Sequence, residues 1–504
     1  MTHSGAVQLS YASWRGRWVL IVTVLGSAIA SIDATVAEIA LPAIGRDFYA
    51  SLATLQWVIT AYTLTLASLL LFGGTLGDRY GRRRIFLVGV VWFAVASMIC
   101  GLAPDAPVLV AARAVQGIGA ALMTPGSLAI IEASFVPADR GKAIGAWSGL
   151  SGVATAIGPV LGGWLIQAAS WRLIFAINVP LAAVVVAVGV RCVPESRNQN
   201  IVGRVDVLGG ILVTLGLVGA TYGLIEGPAS RWDHPASMAS LIVGVMLLAA
   251  FIAWERRARI PMLRLDLFAS ARFTVPNVVT LAVYGALGGT LFLLPIELQQ
   301  VSGYTAFQAG IALLPVTAIM FALSAPSGTL AARIGPRAQM SVGPVVTGVG
   351  LAMFARIGHS GDYLTAVLPP IVIYGLGLAI TVAPLTSTVL AAVPDSHAGM
   401  ASAVNNTIAR ASSLIAVAVL PAAAGLGGTA YLHPARFSAG FGRASLICAG
   451  LCVAGGVLAA ITIRDSRTAA RTVPRQLPHC ALDAPPARVA AQTTVRLDDV
   501  APST

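Results

Sequence analysis

The sequence predicts an all-α integral membrane protein, and three observations carry that reading. Of its 504 residues, 57% are hydrophobic and only 10% are charged, with a mean hydropathy of +0.83. A soluble globular chain carries about 25% charged residues, and one this poor in charge cannot cover its surface with water-compatible groups. Runs of about 20 mostly apolar residues, enough to cross a bilayer as a helix, follow one another along the chain. The basic residues gather in alternate connections between these runs. Soluble enzymes, disordered proteins and nucleic-acid modules are excluded together, and no nucleic-acid partner is expected.

Fourteen runs can be placed in order. The first, 18–42, contains Asp33 and Glu38; it is too long and too polar for a cleavable signal peptide, and no small-residue cleavage site follows it. Runs at 52–76, 85–103, 107–131, 141–168 and 171–192 complete a group of six. Two more, 207–226 and 236–254, follow a polar connection. A last six lie at 273–296, 308–332, 339–357, 363–390, 400–427 and 443–463. Residues 464–504 carry Arg, Pro and Asp without any apolar period and read as a disordered tail.

Charge placement predicts the orientation. If the N-terminus starts in the cytoplasm, the cytoplasmic segments up to residue 475 hold 22 Lys and Arg, including Arg79, Arg82, Arg83 and Arg84, against 6 in the opposite segments. The positive-inside rule then places both termini in the cytoplasm. Topology accounts for most of the net charge of +12, so the basic balance implies no acidic partner. Lys142 is the single lysine, and the Arg bias with abundant Ala, Gly and Val points to a GC-rich bacterial genome. The five cysteines show no metal-ligand spacing. No metal, cofactor or disulfide is expected.

A repeat organises the chain. Gly74-Thr-Leu-Gly-Asp78-Arg79-Tyr-Gly81-Arg82-Arg83 follows the second run, and Gly328-Thr-Leu-Ala-Ala332-Arg333-Ile-Gly335-Pro336-Arg337 follows the tenth, at an offset of 254 residues. Both leave a helix on the Arg-rich side. Internal duplication of this kind marks transporters. The parse is six, two, six: an arm over 1–17, a bundle over 18–192, two inserted helices with their loops over 193–272, a second bundle over 273–463, and the tail over 464–504.

Four motifs make the chain resemble the major facilitator superfamily, and within it the fourteen-helix drug:proton antiporter group. The 74–83 loop matches the superfamily signature between helices 2 and 3. Leu109-x-x-x-Arg113-x-x-Gln116-Gly117-x-Gly119-Ala120-Ala121 matches the fourth-helix motif. Gly158-Pro159-x-x-Gly162-Gly163 matches the antiporter motif, with Ala154 where an earlier Gly is usual. Asp33-x-Thr35-x-x-x-x-Ala40-Leu41-Pro42 resembles the signature of the fourteen-helix group, with Glu38 in place of the usual Asn. The resemblance covers residues 18–463 and implies two six-helix bundles plus two inserted helices.

The polar residues then receive expected roles. Arg113 lies inside an apolar run, where an isolated charge costs at least about 2.5–3.5 kcal/mol, so a partner is required. Asp33 lies at a depth that Arg113 can reach, across a space in the outer half. The pair is either a static lock between helices 1 and 4 or, as the resemblance implies, the proton-coupling site. Glu38 points about 140° away from Asp33 around the helix. Glu38 and Glu297 are unusual acids near the outer rims, which either reach water, exchange protons or bind a cationic substrate; Glu226 reads as a solvated helix end. By resemblance, Gly74, Asp78, Arg79, Gly81, Arg82 and Arg83 form a cytoplasmic gate. Asp78 is suited to cap a helix N-terminus in the facing half. Gly158, Pro159, Gly162 and Gly163 pack tightly, hinge and, by resemblance, seal against leak. Gln116, Asn405, Asn406 and Arg410 read as cavity lining, with Glu297 beside them.

No P-loop, His-Glu-x-x-His or Gly-x-Ser-x-Gly is present, and no enzymatic activity is expected. The leading reading is a proton-coupled antiporter that exports amphipathic, cationic or neutral drugs or related hydrophobic compounds by alternating access, working as a monomer in a bacterial cytoplasmic membrane. Its partners are then the substrate, protons and the lipid bilayer. An exporter or flippase of lipids on the same fold is the alternative. A non-transporting receptor on this scaffold would have no use for Asp33, Arg113 and Gly158-Pro159.

Overall fold

A computed structural model describes residues 8–197, 206–258, 261–358, 362–393, 398–428 and 430–463. Fourteen long helices run through them: α1 Trp14–Asp47, α2 Leu52–Tyr80, α3 Arg82–Gly101, α4 Ala106–Ser134, α5 Pro137–Ala168, α6 Leu173–Cys192, α7 Val207–Ala229, α8 Pro235–Glu255, α9 Ala271–Gln300, α10 Ala306–Ile334, α11 Pro336–Phe354, α12 Tyr363–Ala391, α13 Ala398–Ala423 and α14 Pro434–Thr462. Thirteen of them are long and apolar enough to cross a membrane. The remaining one, α11, packs lengthwise between α12 and α14. This is a multi-pass membrane protein of two six-helix bundles, α1–α6 and α9–α14, with α7 and α8 paired beside them. The tail read over 464–504 lies outside the described residues, as do residues 198–205.

Short polar side chains set the helix starts. Ser13, Ser51, Asp105 and Asp206 each accept a bond from the backbone N–H three residues on, and Thr305 with Gln308 forms a capping box. Each satisfies a donor the first turn leaves open. Helix α1 therefore begins at Trp14, four residues before the apolar run. The arm before it crosses to the α4–α5 turn, where Leu9 N–H donates to the Ser134 carbonyl and Val136 N–H donates to the Leu9 carbonyl. Helix α14 begins nine residues before its run, because Phe437, Gly440 and Phe441 of its first turns are buried despite the arginines among them.

The repeat is visible in the backbone. Gly81 turns the chain between α2 and α3 at φ +115°, and Gly335 turns it between α10 and α11 at φ +88°. Both values lie in the region that glycine tolerates without steric cost.

The two bundles meet at the Arg-poor end, opposite these turns. Gln56 Nε2 on α2 donates to the Val417 carbonyl on α13 at 2.6 Å, and Gln299 Nε2 on α9 donates to the Ile39 carbonyl on α1 at 3.0 Å. Leu52 N–H donates to the Gly428 carbonyl, and the Tyr431 hydroxyl donates to the Ala50 carbonyl at 2.6 Å. Toward the Arg-rich end one face of α5 is open, since a Cβ added at Gly141, Gly145, Gly149 or Gly152 would meet nothing within 4 Å, while Trp147 Nε1 on another face donates to Ser27 Oγ of α1. The bundles are closed at one end and parted at the other.

Helix α7 covers the seam between the bundles. Ile225 packs with Ala53 of α2 and Ala418 of α13, and Glu226 Oε1 accepts a bond from Trp57 Nε1 at 2.8 Å. Glu226 is thus a bonded interface residue and not a solvated helix end.

Candidate polar site of the first bundle

The site begins with close helix packing. A Cβ at Gly117 of α4 would overlap the Thr65 hydroxyl of α2, and one at Gly119 would press on the Phe93 backbone of α3. The Thr65 hydroxyl also donates to the Ala114 carbonyl at 2.9 Å. This approach carries Arg113 onto α2, where its Nε donates to the Val58 carbonyl at 3.1 Å and its guanidinium lies 4.3 Å over the Tyr62 ring. Cation–π contact of this kind is strongest where water is excluded.

The pair read from the sequence is in direct contact. Arg113 Nη1 meets Asp33 Oδ2 at 2.5 Å, with both side chains 1% exposed. No open space lies between them. Asp33 Oδ1 accepts from Gln116 Nε2 at 2.8 Å and from Asn178 Nδ2 at 3.0 Å. Ser97 Oγ accepts from both of those amides, at 3.1 Å and 2.9 Å, and donates to the Phe175 carbonyl. Four helices, α1, α3, α4 and α6, therefore converge on one carboxylate. A buried ion pair holds only if its remaining donors and acceptors are bonded, and here nearly all are.

Asn178 and Ser97 were not singled out from the sequence. Asn178 reaches the site because α6 is interrupted at Ile177. Pro180 has no N–H for the Ala176 carbonyl, so the helix breaks and restarts at Asn178. A lone Asn ahead of Pro in an apolar run was the available signal.

Several expected lining residues are buried instead. Gln116 is fully buried within the network. Asn405 donates to Asn277 Oδ1 at 3.0 Å and to Thr280 Oγ1 at 2.8 Å, tying α13 to α9 inside the second bundle. Glu297 is fully buried, with the Ser438 side chain of α14 as its polar neighbour, so in this arrangement it is neither a rim group nor a cavity wall. Glu38 is half-buried, with Arg113 and Tyr374 as electrostatic neighbours, and does not stand in outer water. Asn406 is exposed and Arg410 half-buried on the same bundle's inner side.

The glycines of the antiporter motif lie where helices touch. A Cβ at Gly158 would overlap the Thr35 hydroxyl, and one at Gly162 would press on Val36, both on α1. Gly163 abuts the Ala306 carbonyl of α10, and Gly310 abuts the Pro159 carbonyl, so this segment also forms the contact between bundles. At the Arg-rich end, Asp78 pairs with Arg82 one turn on, at 2.7 Å. It does not cap a helix of the facing bundle. The capping carboxylate is Glu195, which accepts from the Arg83 and Arg84 backbone N–H groups at 3.1 and 3.2 Å. Gly81 turns the start of α3 toward it. Arg83 also donates to the Val193 carbonyl, Arg79 stacks over Tyr80, and Gly74 lies against Pro125.

A membrane bundle pair with a sealed carboxylate–guanidinium site and a duplicated glycine turn is the architecture of a secondary transporter, and residues 23–417 match the Major Facilitator Superfamily. The chain belongs to that family. It is 36% identical over 402 residues to the multidrug resistance protein Stp of Mycobacterium tuberculosis, covering 80% of this chain and 74% of that one. It is 36% identical over 470 residues to the puromycin resistance protein pur8 of Streptomyces alboniger, covering 90% and 92%. It is 34% identical over 420 residues to the tetracenomycin C resistance and export protein of Streptomyces glaucescens, covering 83% and 78%. Among solved structures, a D-xylose-proton symporter matches with a TM-score of 0.63 at 15% identity, over 90% of this chain and 98% of that one. That likeness concerns the fold alone.

Proposed function

We propose that the chain exports amphipathic, drug-like compounds in exchange for protons, by alternating access in a bacterial cytoplasmic membrane, as a monomer with both termini and the Arg-rich end in the cytoplasm. The observation that carries this reading is the Asp33–Arg113 pair, buried mid-membrane within a bonded network. A carboxylate there is sealed from water in the described arrangement, so coupling to protons requires a movement that reopens the network. The names of the resistance and export relatives support a drug as cargo. The seam-covering position of α7 favours a drug over a lipid, since it obstructs the lateral opening between α2 and α13 that a flippase would use there.

In this orientation the described arrangement faces inward. The cytoplasmic gate formed by Gly74, Asp78, Arg79, Gly81, Arg82 and Arg83 is then released, and the Gly158-Pro159-x-x-Gly162-Gly163 segment seals the outer end. Asp33 is the principal proton-coupling group, with Arg113 as its counter-ion and Glu38 as an auxiliary acid.

The test uses inverted membrane vesicles with an imposed proton gradient. Export driven uphill should vanish when a protonophore collapses the gradient and in Asp33→Asn, which keeps the shape but does not ionise. Undiminished uphill export by Asp33→Asn would move the coupling elsewhere.

A further inference from the structure

We propose that Arg410 anchors an acidic group on the transported molecule, so that the preferred cargo is an amphipathic organic acid, a carboxylate or enolate on an aromatic frame. This rests on the exporter reading and narrows its substrate class.

The contrast with Arg113 carries the argument. Both arginines sit far inside apolar helices; Arg410 is twelve residues into α13, or about 18 Å from its start at 1.5 Å per residue. Arg113 is compensated by a carboxylate, an amide oxygen and a backbone carbonyl. Arg410 has no carboxylate within ion-pair distance among the described residues, and its Nε is buried with no acceptor. An uncompensated cation at membrane depth is costly to keep and marks a functional position.

Its surroundings fit an aromatic acid. The hydroxyls of Tyr62 on α2 and Tyr284 on α9 lie within electrostatic reach, so the guanidinium has a helix of each bundle as a neighbour. Asn406 lies one turn earlier on the same face of α13 and is exposed; its amide makes only a 3.4 Å contact with the Ser402 carbonyl. A planar guanidinium matches a carboxylate with two parallel bonds, the amide adds a donor, and the half-buried Tyr284 ring supplies a flat apolar wall. Glu38, the half-buried acid of α1, has its electrostatic neighbours in Arg113 and Tyr374, which leaves the guanidinium for the cargo.

The experiment compares a fluorescent aromatic carboxylic acid with its methyl ester, in vesicles carrying matched amounts of wild type, Arg410→Gln or Arg410→Lys. The wild type should export the acid. Arg410→Gln should lose export of the acid by about tenfold or more, the scale of a charge-assisted hydrogen bond, with ester export within about twofold of wild type. Arg410→Lys should recover part of the acid export. In a second measurement, the acid but not the ester should raise the unfolding temperature of the purified wild-type protein. Equal loss of acid and ester in Arg410→Gln, or a wild type that exports and binds the ester but not the acid, overturns the assignment while leaving the exporter reading intact. A wild type that moves neither compound under a proton gradient overturns both.

Discussion

Asn178 Nδ2 donates to Asp33 Oδ1 at 3.0 Å and to Ser97 Oγ at 2.9 Å, so one amide at a helix break holds the buried carboxylate in place from α6. Asn178→Ala removes both bonds and leaves a buried acceptor short of a donor. The cost should be about 1–3 kcal/mol, the usual range for an orphaned buried polar group. Denaturation in detergent micelles measures it. A variant as stable as the wild type would mean that Gln116 alone suffices to hold Asp33.

Gly310 of α10 faces the Pro159 carbonyl with no room for a side chain. Gly310→Leu should wedge the bundles apart at the Arg-poor end. Overpacking costs about 1–3 kcal/mol, which converts to a population shift of about 5- to 150-fold. Spin labels at Gln167 and Gln308 should report a longer distance in this variant than in the wild type. An unchanged distance would show that the contact does not decide which end is closed.

A chain with residue 204 joined to residue 264 by a flexible linker, and so lacking α7 and α8, should still insert with both termini on one side. In a bilayer, uncovered apolar surface is re-covered by lipid tails, so the loss of Ile225 from Ala53 and Ala418 should matter little. The stability change should come mainly from Trp57, whose N–H loses Glu226, and amount to about 1–2 kcal/mol. Trp57→Phe in the full chain should reproduce most of it. Protease mapping that finds inverted helices after residue 264 would rule out the six-two-six parse.

The spans and the Asp33–Arg113 contact were legible because each rests on a large term. Twenty apolar residues must go somewhere dry, and a charge within them must find its opposite. Neutral polar residues carry no such demand. Gln116, Asn405 and Asn406 look alike in sequence, yet Gln116 and Asn405 bond to neighbouring helices while Asn406 faces open space. Which face of a span meets another helix depends on rotations that hydropathy does not encode. Asp78 shows a different limit. In this arrangement Arg82, one turn on, pairs with Asp78 locally, while the carboxylate at the start of α3 comes from Glu195, more than a hundred residues along the chain.

The contacts that close the Arg-poor end share one property. Gln56 on a backbone carbonyl, Gln299 on another, the Tyr431 hydroxyl, and the glycines packed against Pro159 and Ala306 are all electrically neutral. A transmembrane voltage does about 2.3 kcal/mol of work per elementary charge moved through 100 mV. Opening a neutral seal moves none, so the voltage has nothing to pull on there. Any electrical sensitivity of the transport cycle then enters through ionisable groups outside that seal, such as Asp33 with Arg113, Glu38 and Arg410, and through whatever charge the cargo carries.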